Sequence, residues 1–295
     1  GAALVIWVDD RLPFEWPKAD GILPLWAQRH GALPTLAVAF RTAYEWRGLG
    51  VTRVRAQVFT RHERRVSYNV VADLRGRDPG AGLIALGAHH DTQVGNAGAD
   101  DNGSGVVSLL ALARSFADAV RRRRLARTLR FVSFGCEEQL SVGSRAYVLE
   151  HRAEMSQHLL MVNIDSASSS LAHTMLLVSG LPDLERWAVR GLRRSGLAVR
   201  VSHEVTPFSD HFPFNIVGVP SLWFFRANCP GGRWQHHSIH DTLRNLFPEA
   251  LCRILNALAP LLAQGAAGKR LPFKRGMRPE DRPLIRRYAQ ELFGL

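Results

Sequence analysis

The chain has 295 residues, 46% hydrophobic and 22% charged, with a formal net charge of +12; that allows one large domain, or one domain with a smaller companion, of ordinary globular composition. No run of about 18 apolar residues is present, so no transmembrane helix and no stable membrane insertion are expected. The arginine surplus gathers in 121-RRRRLAR-127 and from Lys269 to Arg287 without interleaved aromatics, which is the pattern of a solvated helix end and a basic tail and argues against nucleic acid as a partner.

Residues 1–64 open on the strand-like ALVIWV, followed by a short helix at about 23–30 and the strand-like LPTLAVAF. The charged, alternating 51-VTRVRAQVFTRHERRVS-67 suggests an exposed edge or antiparallel strand. From Tyr68 the pattern changes. Apolar runs at 69–74, 83–90, 128–135, 159–165, 174–180, 199–203 and 220–226 alternate with helical stretches at 104–122, 143–152, 182–195 and 246–263. Several strands are continuously apolar, as strands covered on both faces are. Asn102 or Ser104 is placed to cap the first of these helices, and Pro182 sits at the first turn of the third. The alternation predicts an α/β fold, a three-layer α/β/α sandwich around a mixed, mostly parallel sheet, over residues 65–264. Residues 265–295 read as a basic tail that packs or anchors. Cys136, Cys229 and Cys252 are too few for a disulfide framework or a thiolate metal site.

In such sheets ligands bind beyond the carboxyl ends of the strands, and here those ends carry most of the titratable groups. The second strand runs into His89, His90 and Asp91, and its loop holds Asp100 and Asp101; the third runs into Glu137 and Glu138, and the fourth into Asp165. The loop after PSLWFFR carries His236, His237, His240 and Asp241, and 209-SDHFPF-214 adds Asp210 and His211. Singly, each has a structural reading. Together, so many carboxylates cannot all stay ionised without a counter-charge, which a divalent cation supplies. Imidazole and carboxylate ligands without thiolate suit catalytic zinc.

His89-x-Asp91, 98-GADDNGSG-105, 137-EE-138, Asp165 and 237-HSIHDT-242 resemble, in order and spacing, the M28 family of co-catalytic zinc exopeptidases over residues 66–262. The resemblance implies two Zn²⁺ per chain: His89 and Asp165 on one ion, Glu138 and His237 on the other, and Asp101 bridging. Three carboxylates and two imidazoles would leave a net charge near +1 for one hydroxide to cancel. Glu137 takes the place of the general base, Asp91 that of the partner orienting His89, and the Asp101–Asn102 peptide is expected to be cis. His90, Asp100 and His240 fall off the ligand pattern, Asp210 is expected to be structural, and His236 is a candidate for the pocket lining. His211 is a candidate donor to the oxyanion; the tyrosine that some members place just before this segment is missing from 204-EVTPFSDH-211. Residues 1–64 loosely resemble the later half of a protease-associated domain, an accessory module.

The implied activity is hydrolysis of peptides from an amino terminus by a metal-bridging hydroxide with Glu137 as base. Alternatives on the same fold are a glutaminyl-peptide cyclotransferase, and a carboxypeptidase or dipeptidase if Arg226 meets a substrate carboxylate; from another class, a binding module that has lost catalysis. Phe208, Trp223, Phe224, Phe225 and Trp234 are candidate apolar lining, with core packing the commoner fate. Oligomeric state is unspecified. An extracytoplasmic location, secreted or periplasmic, is the expectation, any leader being missing from this chain.

Overall fold

The computed structural model describes residues 3–9, 33–59, 63–122, 125–228, 234–268 and 270–295. The expected helix at 23–30 and Cys229 lie outside them.

A two-stranded parallel ribbon, β1 (Val5–Asp9) with β2 (Thr35–Ala39), precedes α1 (Phe40–Gly48). No apolar stripe announces α1 and none of its residues is buried; an exposed Arg41–Glu45 pair one turn apart, at 3.0 Å, braces it. The stretch expected as an edge strand is irregular over 51–59 and 63–69, and mostly exposed. A strand needs a ladder partner, and the free edge of the sheet is taken by the next segment, β3 (Val70–Leu74), which runs antiparallel to its neighbour.

The main sheet comprises β3, β4 (Leu83–His89), β5 (Thr128–Phe134), β6 (His158–Ile164), β7 (His173–Ser179), β8 (Arg200–Ser202) and β9 (Ser221–Ala227), in the order β3-β5-β4-β6-β9-β7-β8. The four central strands β5, β4, β6 and β9 are mutually parallel, and antiparallel pairs join β3 to β5 and β7 to β9. All seven residues of β4 are buried, which explains its unbroken apolar text.

Alternation along β4 divides the core. Ile84, Leu86 and Ala88 join Leu109, Leu112 and Phe116 of α2 (Gly105–Arg121), Leu184 and Trp187 of α4 (Pro182–Arg194) and Ile254, Leu258 and Leu261 of α6 (Pro248–Ala267). Leu83 and Ala85 join Tyr147 and Val148 of α3 (Val142–Glu150) and Phe214 of α5 (His211–Ile216). Sheet faces are covered on both sides, giving three layers. By length and composition α6 could cross a membrane. Its apolar stripe, Ala250 to Ala266, is buried in the core.

Residues 270–295 pack into the body. Met277, Ile285 of α7 (Arg282–Tyr288) and Phe293 form a third apolar cluster with Leu140 and Phe212. Arg275 donates to the carbonyls of His158 and Met155, and Arg145 to that of Phe293. The amphipathic text of this segment therefore has a partner, and Arg275 and Arg278 anchor it to backbone oxygens of the body.

Candidate metal centre

Four parallel neighbours in the sheet deliver the candidate ligands to one edge. Strand β4 ends at His89 and its loop carries Asp101; β5 leads to Glu137 and Glu138, β6 to Asp165, and β9 to the loop with His236 and His237. Parallel strands place all their carboxyl ends together.

Asp101 stands between two groups. Its Oδ1 lies 3.2 Å from His89 Nε2, which is also 3.6 Å from Asp165 Oδ1 and 3.8 Å from Glu137 Oε2. Its Oδ2 lies 3.4 Å from His237 Nε2, which is 3.0 Å from Glu138 Oε2. His89 Nε2 and Glu138 Oε1 are buried yet make no well-formed hydrogen bond. Buried polar atoms are rarely left so, and a divalent cation beside each oxygen of Asp101 would satisfy both. Two groups of donor atoms lie close enough to share a cation, His89, Asp101 and Asp165 on one side and Asp101, His236 and His237 on the other, with Glu138 beside His237.

Neighbouring groups hold these ligands. His89 Nδ1 donates to the Asp91 carbonyl at 3.0 Å, leaving Nε2 for Asp101. The Asp91 carboxylate is farther from that nitrogen, 3.6 Å, and instead accepts from the Glu137 and Glu138 N–H groups at 3.0 and 3.2 Å. It orients the Glu pair as well as the histidine. Ser209 Oγ donates to Asp165 Oδ2 (2.7 Å), Gln93 Nε2 to Glu138 Oε2 (2.9 Å), and Ser141 Oγ to Glu137 Oε1 (3.1 Å). Asp241, buried, accepts from the Asp100 and Asp101 N–H groups at 2.7 and 3.0 Å. The Asp101–Asn102 peptide is cis, and Asn102 Oδ1 accepts from Gly105 N–H at 2.9 Å to cap α2. Ser104 Oγ instead donates back to the Asp100 carbonyl.

The electrostatics follow from burial and proximity. Burial works to raise the Asp101 carboxyl, but contacts from His236, His237 and His89 hold it well below the usual carboxylate range. Burial would lower His89, yet Asp101, Asp165 and Asp91 raise it well above normal. Burial, opposed by His89 and reinforced by Asp210, Asp165 and Glu138, pushes Glu137 well above the usual range. Burial also lifts Asp210 to about 7 and Asp241 to about 6.

The other candidates lie elsewhere. Asp100 faces away, accepting from Ser168 N–H at 2.8 Å and from Ser169 Oγ. His90 meets Ser133 Oγ at 3.0 Å, and His240 lies beside Trp234. His211 is 0% exposed, stacked on Trp223 at 5.1 Å between ring centroids, and burial takes it down to about 3. As placed, this neutral ring reaches no open surface from which to donate to a substrate. Trp223 and Phe224 are core, while Phe208 is exposed. Arg226 is buried against the Ser169 and Ala172 carbonyls and Thr174 Oγ1, so the feature that would favour a carboxypeptidase is committed to the fold. His236 goes further than pocket lining: its Nδ1 lies 2.9 Å from Asp101 Oδ2. Ser141, Ser209 and Gln93 carry no sequence signal beyond closeness to a ligand or to the SDH segment; Asp241 does, in the spacing of HxxxD.

A three-layer α/β/α fold with imidazole and carboxylate groups gathered at the carboxyl edge of its central strands defines the class of α/β proteins with a candidate metal site at that edge. Residues 69–262 match the model of peptidase family M28, and the chain belongs to that family. It is similar to leupeptin-inactivating enzyme 1 of Streptomyces exfoliatus, 30% identical over 227 residues, covering 70% of this chain and 50% of that protein. It is also similar to probable leucine aminopeptidase 2 of Aspergillus oryzae, 34% identical over 244 residues, covering 72% and 47%. The chain thus spans about half the length of these relatives. In fold it resembles the aminopeptidase from Aneurinibacillus sp. strain AM-1, with a TM-score of 0.66, 22% identity, and coverage of 95% of this chain and 66% of that one.

Proposed function

We propose that the chain is a zinc-dependent exopeptidase, an aminopeptidase acting on peptides with a free amino terminus, with two metal positions. The observation that carries this reading is Asp101, whose two carboxylate oxygens face separate ligand groups while Glu137 Oε2 stands 3.8 Å from His89 Nε2. Zinc held there supplies a Lewis acid for the scissile carbonyl and acidifies water. The chain's own groups do the rest. Glu137 takes a proton from the attacking water at Oε2 and returns it to the leaving nitrogen. Ser141 fixes its Oε1. An elevated carboxyl suits a group that must both accept and release a proton near neutral pH. Asp91 holds Glu137 and Glu138 through their N–H groups. The name of one relative, probable leucine aminopeptidase 2, supports the amino-terminal preference.

The test is a panel of free-amine, amino-blocked and amino-terminal glutamine peptides, assayed before and after chelation with metal content measured. Expected are hydrolysis of free-amine peptides alone, loss on chelation and recovery with zinc. Cleavage of blocked peptides at equal rates overturns the aminopeptidase reading. Pyroglutamate release with one metal per chain replaces it with the cyclase.

A further inference from the structure

We propose that α4 and the segment after α6 form a pocket for a small ligand carrying two or more phosphates. The pocket shares no residue with the metal centre, so the inference goes beyond the function proposed above and stands apart from it.

The pocket has a volume of about 280 Å³. One wall is a stripe of α4: Arg186, Arg190 and Arg194, each one turn from the next. Gln264 of α6 and Pro272 line it from the neighbouring elements. Trp187 Nε1 donates to Gln264 Oε1 at 2.9 Å, which occupies the amide oxygen and leaves the amide N–H₂ as a donor. Around Pro272 burial alternates. Leu271 and Phe273 pack inward, Phe273 against Trp187 with ring centroids 4.9 Å apart, while Arg270, Pro272 and Lys274 are exposed. Cations therefore stand on both walls. The one carboxylate in the lining, Asp183, accepts from the Leu184 and Lys274 N–H groups at 3.1 and 2.6 Å, so its oxygens are already engaged by backbone.

A basic helix stripe is ordinarily a solvated face, but this one is concave and its charge is uncompensated. Like charges one turn apart destabilise a helix, and Asp183 is the one acid three or four residues from any of the three arginines. The helix dipole favours a cation in the last turn, which holds Arg194 but neither Arg186 nor Arg190. Among the described residues none of the three has a hydrogen bond or ion pair. An anionic ligand supplies what the chain does not. Guanidinium forks pair with phosphate oxygens. From Arg186 to Arg194 the helix rises about 12 Å, more than one phosphate bridges, and the volume falls just below the about 300–1,000 Å³ of small-molecule pockets. The ligand is thus compact and multiply phosphorylated, either a free oligophosphate or a phospholipid headgroup. β7 ends at Ser179, paired with Ser221 at the start of β9, so α4 begins at the edge of the sheet opposite the metal centre.

The test is calorimetric titration of the whole chain with inorganic triphosphate, and co-sedimentation with vesicles of phosphatidylcholine alone or in equal parts with cardiolipin. Both are run at about 0.15 M salt, where loose surface attraction is screened. Wild type is compared with Arg186→Ala, Arg190→Ala and Arg193→Ala, the last removing the same charge from an exposed position of α4 outside the pocket; circular dichroism checks folding. Expected is binding that weakens by at least about 10-fold in Arg186→Ala and in Arg190→Ala, as the loss of hydrogen bonds between charged groups does, and is unchanged in Arg193→Ala. Arginine-dependent binding of triphosphate alone identifies a soluble ligand, and of cardiolipin vesicles alone a membrane headgroup; either supports the pocket. Binding of neither probe overturns it. Equal losses in all three variants overturn it as bulk charge attraction, and unchanged binding in Arg186→Ala and Arg190→Ala overturns it by placing the phosphates elsewhere, the metal centre included. Arg190-dependent binding of duplex DNA tighter than that of triphosphate also overturns it, in favour of a nucleic-acid surface.

Discussion

Glu137→Gln removes a proton acceptor and keeps its shape. The variant is expected to retain its metal, because Glu137 is outside both ligand groups, and to lose about 10²–10⁴-fold in kcat. Metal analysis beside steady-state kinetics checks it; full turnover would remove Glu137 from the mechanism. Asp241→Ala acts through the backbone. It strips the acceptor from two buried N–H groups at Asp100 and Asp101, costing about 2 kcal/mol or more and about 10–100-fold in metal affinity. Urea unfolding of the stripped protein and a zinc titration read the two effects separately. The charged members of the site were legible in the sequence because only a few side chains bind divalent cations and few other needs collect them at strand ends. Ser141, Ser209 and Gln93 were not, since a neutral polar residue looks the same in a loop whether it meets a ligand or water. His236 was visible as a histidine. Its direction depends on one left-handed backbone angle at the next residue, a φ of +53° at His237, which no spacing encodes.

Elements are held to one another by a polar chain that runs from the exposed strand β3 into the core. Asp73 pairs with Arg130 of β5 through two bonds of 2.7 and 2.8 Å; Arg130 donates to the Tyr147 hydroxyl of α3 (3.1 Å), which meets His158 Nε2 of β6 at 2.9 Å. His158 Nδ1 donates to the Glu154 carbonyl at 3.0 Å. Burial brings His158 down to about 4, against about 6.5 in the unfolded chain. A group depressed in this way contributes stability that is intact above pH 6.5. That stability drains as pH falls toward 4, because the unfolded chain binds the proton first. The expected loss is about 3 kcal/mol. Urea unfolding at pH 7 and pH 4.5 should show it, and His158→Gln should show a shallower fall; equal slopes would sink the attribution. A second test lies at the start of α2. In an ordinary helix Gly→Ala gains about 1 kcal/mol. At Gly105 the added methyl would collide with the Ile164 carbonyl and Asn102 Oδ1, so Gly105→Ala should destabilise and loosen metal, measured by thermal melts with and without zinc. Strands β4, β6 and β9 were legible because burial on both faces writes unbroken apolar text. α1 lacks an apolar stripe, and α5 is six residues with a proline inside; neither has room for a periodic signal.

The molecule as a whole gathers Asp101, Asp165, Glu137 and Glu138 at one buried edge, and two imidazoles offset them only in part. Metal removal should therefore lower stability generally. Ions at about 100 times their dissociation constant add about 2.7 kcal/mol, or about 5–10 °C of melting temperature for a domain of this size. Scanning calorimetry before and after chelation checks this, and coincident transitions would contradict it. Synthesis runs from amino to carboxyl end, and that gives the third apolar cluster a role in time. Leu140 and Phe212, beside Glu138 and His211, wait for Met277, Ile285 and Phe293 to complete their packing. Every ligand leaves the ribosome well before those three. A nascent chain that has reached His237 owns all its metal-binding groups but carries them on loops with an unfinished floor. The apolar packing next to Glu138 is thus completed by residues synthesised after every candidate ligand.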